Sequence, residues 1–183
     1  NTAIIYNNIK AVEWLEDIHM AYEYSKYPDV EYPNMAMFMR IVGRSNGKYV
    51  NVKFYKSNSL GADDNSVITP AMACLERKKD NELQWLLTHP NFCPEENTNA
   101  NKTSLLHWAV RFGNPRHIKW CLEKFDVNIL NNKRETPLFM AAKVGHIKKL
   151  KLLLNAGANP SVRSKVRHHT PFIAAASSGH LNM

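Results

Sequence analysis

Histidine and cysteine are the side chains of this chain whose spacing could support metal binding. His89 and Cys93 lie four residues apart, but Pro90 stands between them and no second pair of ligand-type residues follows at zinc-site spacing. His168 and His169 are adjacent in a predicted turn, where they could bind a metal or respond to pH. An exposed loop tip is the simpler interpretation of that pair, and we predict no metal site.

The three cysteines and the known catalytic motifs give no support for an enzyme. Cys74 and Cys121 lie at predicted core positions, and Cys93 leaves the number of cysteines odd. We expect reduced, buried thiols in an intracellular, cytoplasmic protein. The sequence has no glycine-rich phosphate loop, G-x-S-x-G elbow or H-E-x-x-H motif. We therefore predict no catalytic residue and no cofactor in this segment.

The basic residues are concentrated in the second half of the chain. Residues 1–64 hold 7 Lys/Arg and 8 Asp/Glu, whereas residues 115–169 hold 12 Lys/Arg and 3 Asp/Glu. Such an excess attracts acidic partners and speeds their encounter. The alternative is a solvated surface that keeps the protein soluble. No run approaches the 18 apolar residues that a membrane span needs.

These residues are positioned by a pattern that recurs four times. Its copies begin at Thr69, Ser104, Thr136 and Thr170, so the spacings are 35, 32 and 34 residues. Threonine before proline is a helix start, because the hydroxyl caps the first turn and proline needs no partner there. A glycine nine residues later predicts a helix end with positive φ, and apolar residues at helical spacing predict a second helix. The glycines in question are Gly113, Gly145 and Gly179.

A period near 33 with Thr-Pro-Leu and Gly-His marks resembles the ankyrin repeat. The resemblance covers residues 63–183 and implies an all-α solenoid with short β-turn fingers and repeats at about 64–98, 99–130, 131–164 and 165–183. The marks are degenerate in places, since Leu105 replaces proline, Lys78 and Lys79 replace Gly-His, and only His107 keeps the family's histidine. The fourth repeat stops where its second helix should begin, so we expect the full-length protein to continue.

Residues 1–62 have a different pattern and two interpretations. Apolar residues at spacings of three and four predict an amphipathic helix over 4–26, and the alternation from Tyr49 to Tyr55 predicts a strand. A turn at 45–47 would connect that strand to 35–42, which could be a partner strand or a short helix. The segment is either a mainly helical cap with a small hairpin, which covers the first repeat, or the end of a preceding domain.

The resemblance also implies a concave groove, lined by the fingers and by one face of each first helix. Trp108 and Phe112 either pack between repeats or form an aromatic anchor beside Arg111, since aromatic residues and arginine dominate binding hot spots. We predict that a protein partner contacts Arg77, Trp108, Arg111, Phe112, Lys133, Glu135, Lys143, Val144, Arg167 and His169.

The predicted function is protein–protein recognition of an acidic partner through this groove. One alternative is a targeting module of a multidomain enzyme. Another is a nucleic-acid or anionic-lipid surface on the convex side, formed by Lys148, Lys149, Lys151, Arg116 and Lys119. The divergent repeats and the 20 asparagines are similar to those of ankyrin-bearing bacterial effectors, which would place the protein in a host cytoplasm.

Overall fold

The computed structural model describes residues 50–51, 54–55 and 67–180, which contain seven helices and one pair of two-residue strands. The strands are β1 (Phe54–Tyr55) and β2 (Val67–Ile68). The helices are α1 (Pro70–Glu76), α2 (Asp80–Thr88), α3 (Leu105–Phe112), α4 (Pro115–Leu122), α5 (Pro137–Val144), α6 (Ile147–Asn155) and α7 (Pro171–Ser177).

Threonine or serine caps the first helix of every repeat, as the Thr-Pro pattern predicts. The hydroxyls of Thr136 and Thr170 accept the N–H groups of Phe139 and Ile173, at 3.1 and 3.4 Å. The proline that follows each threonine needs no hydrogen bond at the first helical position. α4 begins in a similar way, because the side chain of Asn114 accepts two first-turn N–H groups before Pro115.

The helix ends confirm two of the three glycine predictions and correct the third. Gly145 and Gly179 have φ of 79° and 81°, so both lie in the left-handed region. Gly113 was predicted to do the same, but its φ is −81° and its backbone is extended. A Cβ at Gly113 would lie 2.7 Å from the carbonyl oxygen of Ala109. Glycine is therefore required there by close packing and not by backbone conformation.

The helices stack in two layers and bury one continuous core. The first helices α1, α3, α5 and α7 pack on one another in order, and the second helices α2, α4 and α6 form the other layer. Ala141, Ala142, Ala174 and Ala175 are buried, so α5 and α7 approach closely. The all-α solenoid predicted from the period is confirmed.

The residues before the array contact the first repeat. Within the predicted strand over Tyr49 to Tyr55, Phe54 and Tyr55 form β1, which pairs antiparallel with β2. Val50 and Asn51 lie in a turn, and Val50 is buried in the core. Asn51 donates to the carbonyl oxygen of Asn91 (2.8 Å) and accepts from Cys93 N–H (3.0 Å). The predicted helix over 4–26, the turn at 45–47 and the segment 35–42 lie outside the described residues.

Candidate partner-binding groove

Three finger loops precede α3, α5 and α7 and share one backbone design; they are named the second, third and fourth fingers after their repeats. The side chain of Asn131 accepts the N–H groups of Lys133 and Glu135, both at 2.9 Å, and Asn99 does the same in the preceding finger. In the fourth finger Ser164 stands at the asparagine position, and its backbone N–H donates to the carbonyl of His169 at 2.9 Å, as the Asn131 N–H donates to the carbonyl of Glu135 at 3.1 Å. The asparagine bonds fix the conformation of the second and third fingers, because asparagine side chains stabilise tight turns.

A basic residue in the left-handed region stands at the same place in each finger. Lys102, Arg134 and His168 have φ of 54°, 55° and 51°. Such a conformation costs a residue with a Cβ about 1–2 kcal/mol. The fingers are also joined directly, since Asn132 N–H donates to Asn101 (2.9 Å) and Lys165 N–H donates to Lys133 (2.7 Å). The fingers therefore form a connected ladder along one edge of the stack.

His107 connects the second repeat to the third finger. Its side chain is fully buried, and its Nδ1 lies 2.9 Å from the Ser104 hydroxyl and accepts the Ser104 N–H at 3.3 Å. Because Nδ1 is an acceptor, Nε2 carries the proton and donates to the carbonyl oxygen of Glu135 at 3.0 Å. Burial lowers the pKa of His107 from 6.5 to about 4, so the ring is neutral at pH 7.

The fingers and first helices enclose a groove with two adjoining pockets. The larger, between the third and fourth repeats, has a volume of about 470 Å³, and the smaller, between the second and third, about 150 Å³. Both are lined by Lys133, Glu135 and Lys143. The larger also contacts Ser164, Val166, Arg167, His169, Ala174, Ser177 and Ser178, and the smaller Asn101, Thr103, His107, Trp108, Arg111, Asn131 and Met140.

The groove brings together seven of the ten residues predicted from the sequence. Arg77, Phe112 and Val144 line neither pocket. Phe112 and Val144 are partly exposed, at 37% and 41%, outside the groove. Partner contact by all ten residues remains a prediction.

Trp108 is almost completely buried beside Phe112. Its side chain is only 2% exposed, and its ring lies 5.0 Å from that of Phe112 between centroids. Arg111 lies over the Phe112 ring, 5.1 Å from its centroid. The alternative role, packing between repeats, therefore describes Trp108, although its edge borders the smaller pocket.

Sequence reasoning missed several residues of the groove. Ser164, Asn131 and Met140 line the pockets but carry no charge that would single them out. The repeat alignment is the signal that could have found Ser164, because it follows Asn131 by 33 residues and occupies the same finger position.

On the convex side, Lys149 does not belong to the predicted basic strip. Lys149 is buried, 8% exposed, and its ammonium donates to the carbonyl oxygen of Val110 at 2.6 Å. In a longer helix the N–H of Asn114 would reach that oxygen, but it donates to His117 Nδ1 instead, at 3.1 Å. Lys149 thus caps α3 from the next repeat, and burial lowers its pKa. Its ammonium is therefore not exposed to a ligand, although the predicted strip would need it to be.

The cysteines have the environment expected of structural thiols. Cys74 and Cys121 are buried, which raises the pKa of Cys74 to about 12 and that of Cys121 further. A thiol with such a pKa is a poor nucleophile at neutral pH. Cys93 is half-buried and lies 3.2 Å from a Glu95 carboxylate oxygen, while His89 accepts the Asn91 N–H at 3.1 Å.

Two negative findings apply to the described residues alone. Within 50–51, 54–55 and 67–180, no three His, Cys, Asp or Glu side chains gather where they could hold a metal ion. No helix in the same part of the chain is both long enough and apolar enough to span a membrane.

Comparison with known proteins finds a family match over part of the solenoid. Residues 106–183 match the family model of ankyrin repeats (3 copies). One relative is the "Putative E3 ubiquitin-protein ligase XBAT31" of Arabidopsis thaliana, 33% identical over 98 residues. That match covers 53% of this chain and 21% of the relative, so the chain spans a minor part of the relative's length.

Proposed function

Because residues 106–183 are ankyrin repeats, which are protein-interaction modules, we propose that this chain binds an acidic segment of a partner protein in its concave groove. The observation that carries the proposal is the convergence of two repeats on one basic pocket. Lys133 and Lys143 come from the third repeat, and Arg167 and His169 from the fourth finger. A groove with this charge favours negatively charged partners and steers their approach.

Recognition would use residues 63–183, with the segment 1–62 as a cap or as the end of a preceding domain. The contacts of Val50 and Asn51 with the first repeat support a cap, since the apolar end of a solenoid needs a cover. The setting of a secreted bacterial effector stays a prediction.

The test compares two variants of equal charge. The groove variant carries Arg111→Glu, Lys143→Glu and Arg167→Glu, and the convex control carries Lys119→Glu, Lys148→Glu and Lys151→Glu; all six side chains are exposed. Each purified protein captures partners from a nuclease-treated lysate, and mass spectrometry quantifies them. We expect a set of proteins with acidic segments that the groove variant loses and the convex control retains. Equal recovery by the two variants would contradict the proposal.

A second candidate follows from the relative. The matched relative is named as a ubiquitin ligase, and this chain covers a fifth of it. On this view the repeats target a catalytic domain that lies elsewhere in a longer protein. The full-length protein, with ubiquitin and the activating and conjugating enzymes, should then form ubiquitin chains while the isolated repeats do not. An inactive full-length protein would remove this candidate.

A further inference from the structure

The larger pocket has a charge that a single carboxylate does not balance. Among the described residues it is lined by the cations Lys133, Lys143 and Arg167 and by the carboxylate of Glu135, a formal net charge of +2 when histidine is not counted. The ligand that neutralises such a pocket is a dianion. A phosphate monoester carries about −1.5 to −2 at pH 7, whereas the side chain of aspartate or glutamate carries one charge.

Two cations of this pocket, Lys143 and Arg167, are exposed to a ligand. Among the described residues, the side chains of Lys143 and Arg167 make no hydrogen bond or ion pair. Glu135 is held within its own finger, where its carboxylate accepts from the Asn131 amide at 3.2 Å. Arginine with a phosphate forms paired charge-assisted hydrogen bonds, which are about twice as strong as neutral ones.

The pocket is preformed on the backbone, which lowers the cost of ordering it on binding. Lys165 N–H donates to the Lys133 carbonyl at 2.7 Å, so the fingers that carry Lys133 and Arg167 are tied together. His107 holds the other side of the third finger through the Glu135 carbonyl. Preorganisation of this kind improves affinity without adding contacts.

The shape of the groove selects a peptide over a membrane. The pocket is concave, and it continues into the smaller pocket across the shared residues Lys133, Glu135 and Lys143. An extended chain can follow both pockets, whereas a flat bilayer would contact the finger tips alone.

We propose that the larger pocket is a phosphate subsite, which binds a phosphorylated serine or threonine side chain of the partner segment. This inference rests on the proposed function and names the chemistry of its main contact. Phosphorylation of the partner would then control binding to this chain.

The experiment uses three fluorescein-labelled peptide libraries with degenerate flanks, which differ in one fixed central residue: phosphoserine, glutamate or serine. Fluorescence anisotropy measures their binding to the wild type, to Lys143→Ala/Arg167→Ala, and to the control Lys148→Ala/Lys151→Ala. The two double variants lose the same charge from exposed positions. Vesicles with and without phosphatidylserine form a separate arm.

We expect the phosphoserine library to bind wild type at least about tenfold more tightly than the other two, since one added charge-assisted contact is worth about that factor. The groove variant should lose that advantage, and the convex control should keep it within about twofold. If glutamate binds as well as phosphoserine and the groove variant abolishes both, the phosphate subsite is overturned and the acidic-partner function survives. If neither variant affects the binding of any library, or if the vesicles alone bind, the phosphate subsite and the acidic-partner function are both overturned.

Discussion

Acidification should destabilise this protein through one buried histidine. His107 is fully buried and accepts a hydrogen bond at Nδ1, so a proton added there would face the Ser104 N–H donor. The folded state therefore disfavours the charged ring, and burial lowers the pKa from 6.5 to about 4. We expect stability to be complete above pH 6.5 and to fall as the pH drops from 6.5 towards 4, where the unfolded chain binds the extra proton.

The magnitude follows from the two pKa values. Each pKa unit corresponds to about 1.4 kcal/mol, so the interval between 6.5 and about 4 represents about 3 kcal/mol of unfolding free energy. Most of it should be lost between pH 7 and pH 4.5. That is a large share of the roughly 5–15 kcal/mol by which domains are stable.

The assay is urea unfolding at pH values from 7.5 to 4.5. Tryptophan fluorescence monitors the unfolding, since the buried Trp108 is adjacent to His107. The matched variant is His107→Gln. Glutamine is favoured at this capping position and does not titrate, so it can keep a donor and an acceptor. The difference in pH dependence between wild type and variant isolates the histidine from the carboxylates. If both proteins lose the same stability over this range, burial of a neutral ring is not the cause and the reasoning fails.

Three further predictions concern stability at pH 7, measured by urea unfolding. Lys149→Met should cost about 1–3 kcal/mol, because it leaves the carbonyl that Lys149 caps without a partner; Lys151→Met, on the exposed side of α6, should stay within about 0.5 kcal/mol, and equal losses would refute the cap. Arg134→Gly should raise stability by up to about 1 kcal/mol, because glycine relieves the left-handed φ of 55°; a loss would mean that the arginine side chain stabilises its finger. Leu153→Ala should cost about 2–5 kcal/mol and Leu154→Ala under about 1, since Leu153 is fully buried and Leu154 is 40% exposed; a similar cost for both would contradict their assigned faces.

Local backbone features could be predicted from single residues. The starts and ends of the helices were therefore predictable from the sequence. Thr136 before proline, and Gly145 and Gly179 at the helix ends, have the roles that their types dictate. Their physics lies within one turn of helix, so a short window of sequence contains it. The charged finger positions were predictable for a different reason, because a period of about 33 residues places Lys133 and Arg167 in equivalent loops.

What could not be predicted depends on contacts between repeats. The sequence placed Lys149 in a basic strip on the convex side, yet it is buried, and its ammonium donates to a carbonyl oxygen at the end of α3. The sequence allows two roles for Trp108, and its burial is decided by how α3 packs against its neighbours. The extended backbone of Gly113 follows from the tight passage into α4. None of these constraints is visible until neighbouring helices are placed.

The ladder of fingers has a consequence for how salt changes recognition. Packed helices lie about 8–10 Å apart, so Lys102 and Arg134, which stand at equivalent positions of neighbouring fingers, should be separated by about that interval. The screening length is about 8 Å at cellular ionic strength and about 30 Å in dilute buffer. In dilute buffer each charge of a ligand would interact with the basic residues of several fingers. At cellular ionic strength it would interact only with the basic residue of the nearest finger. An extended peptide advances about 3.3 Å per residue, so negative charges on every third residue would match the row. Added salt should therefore weaken binding while sharpening the preference for that spacing.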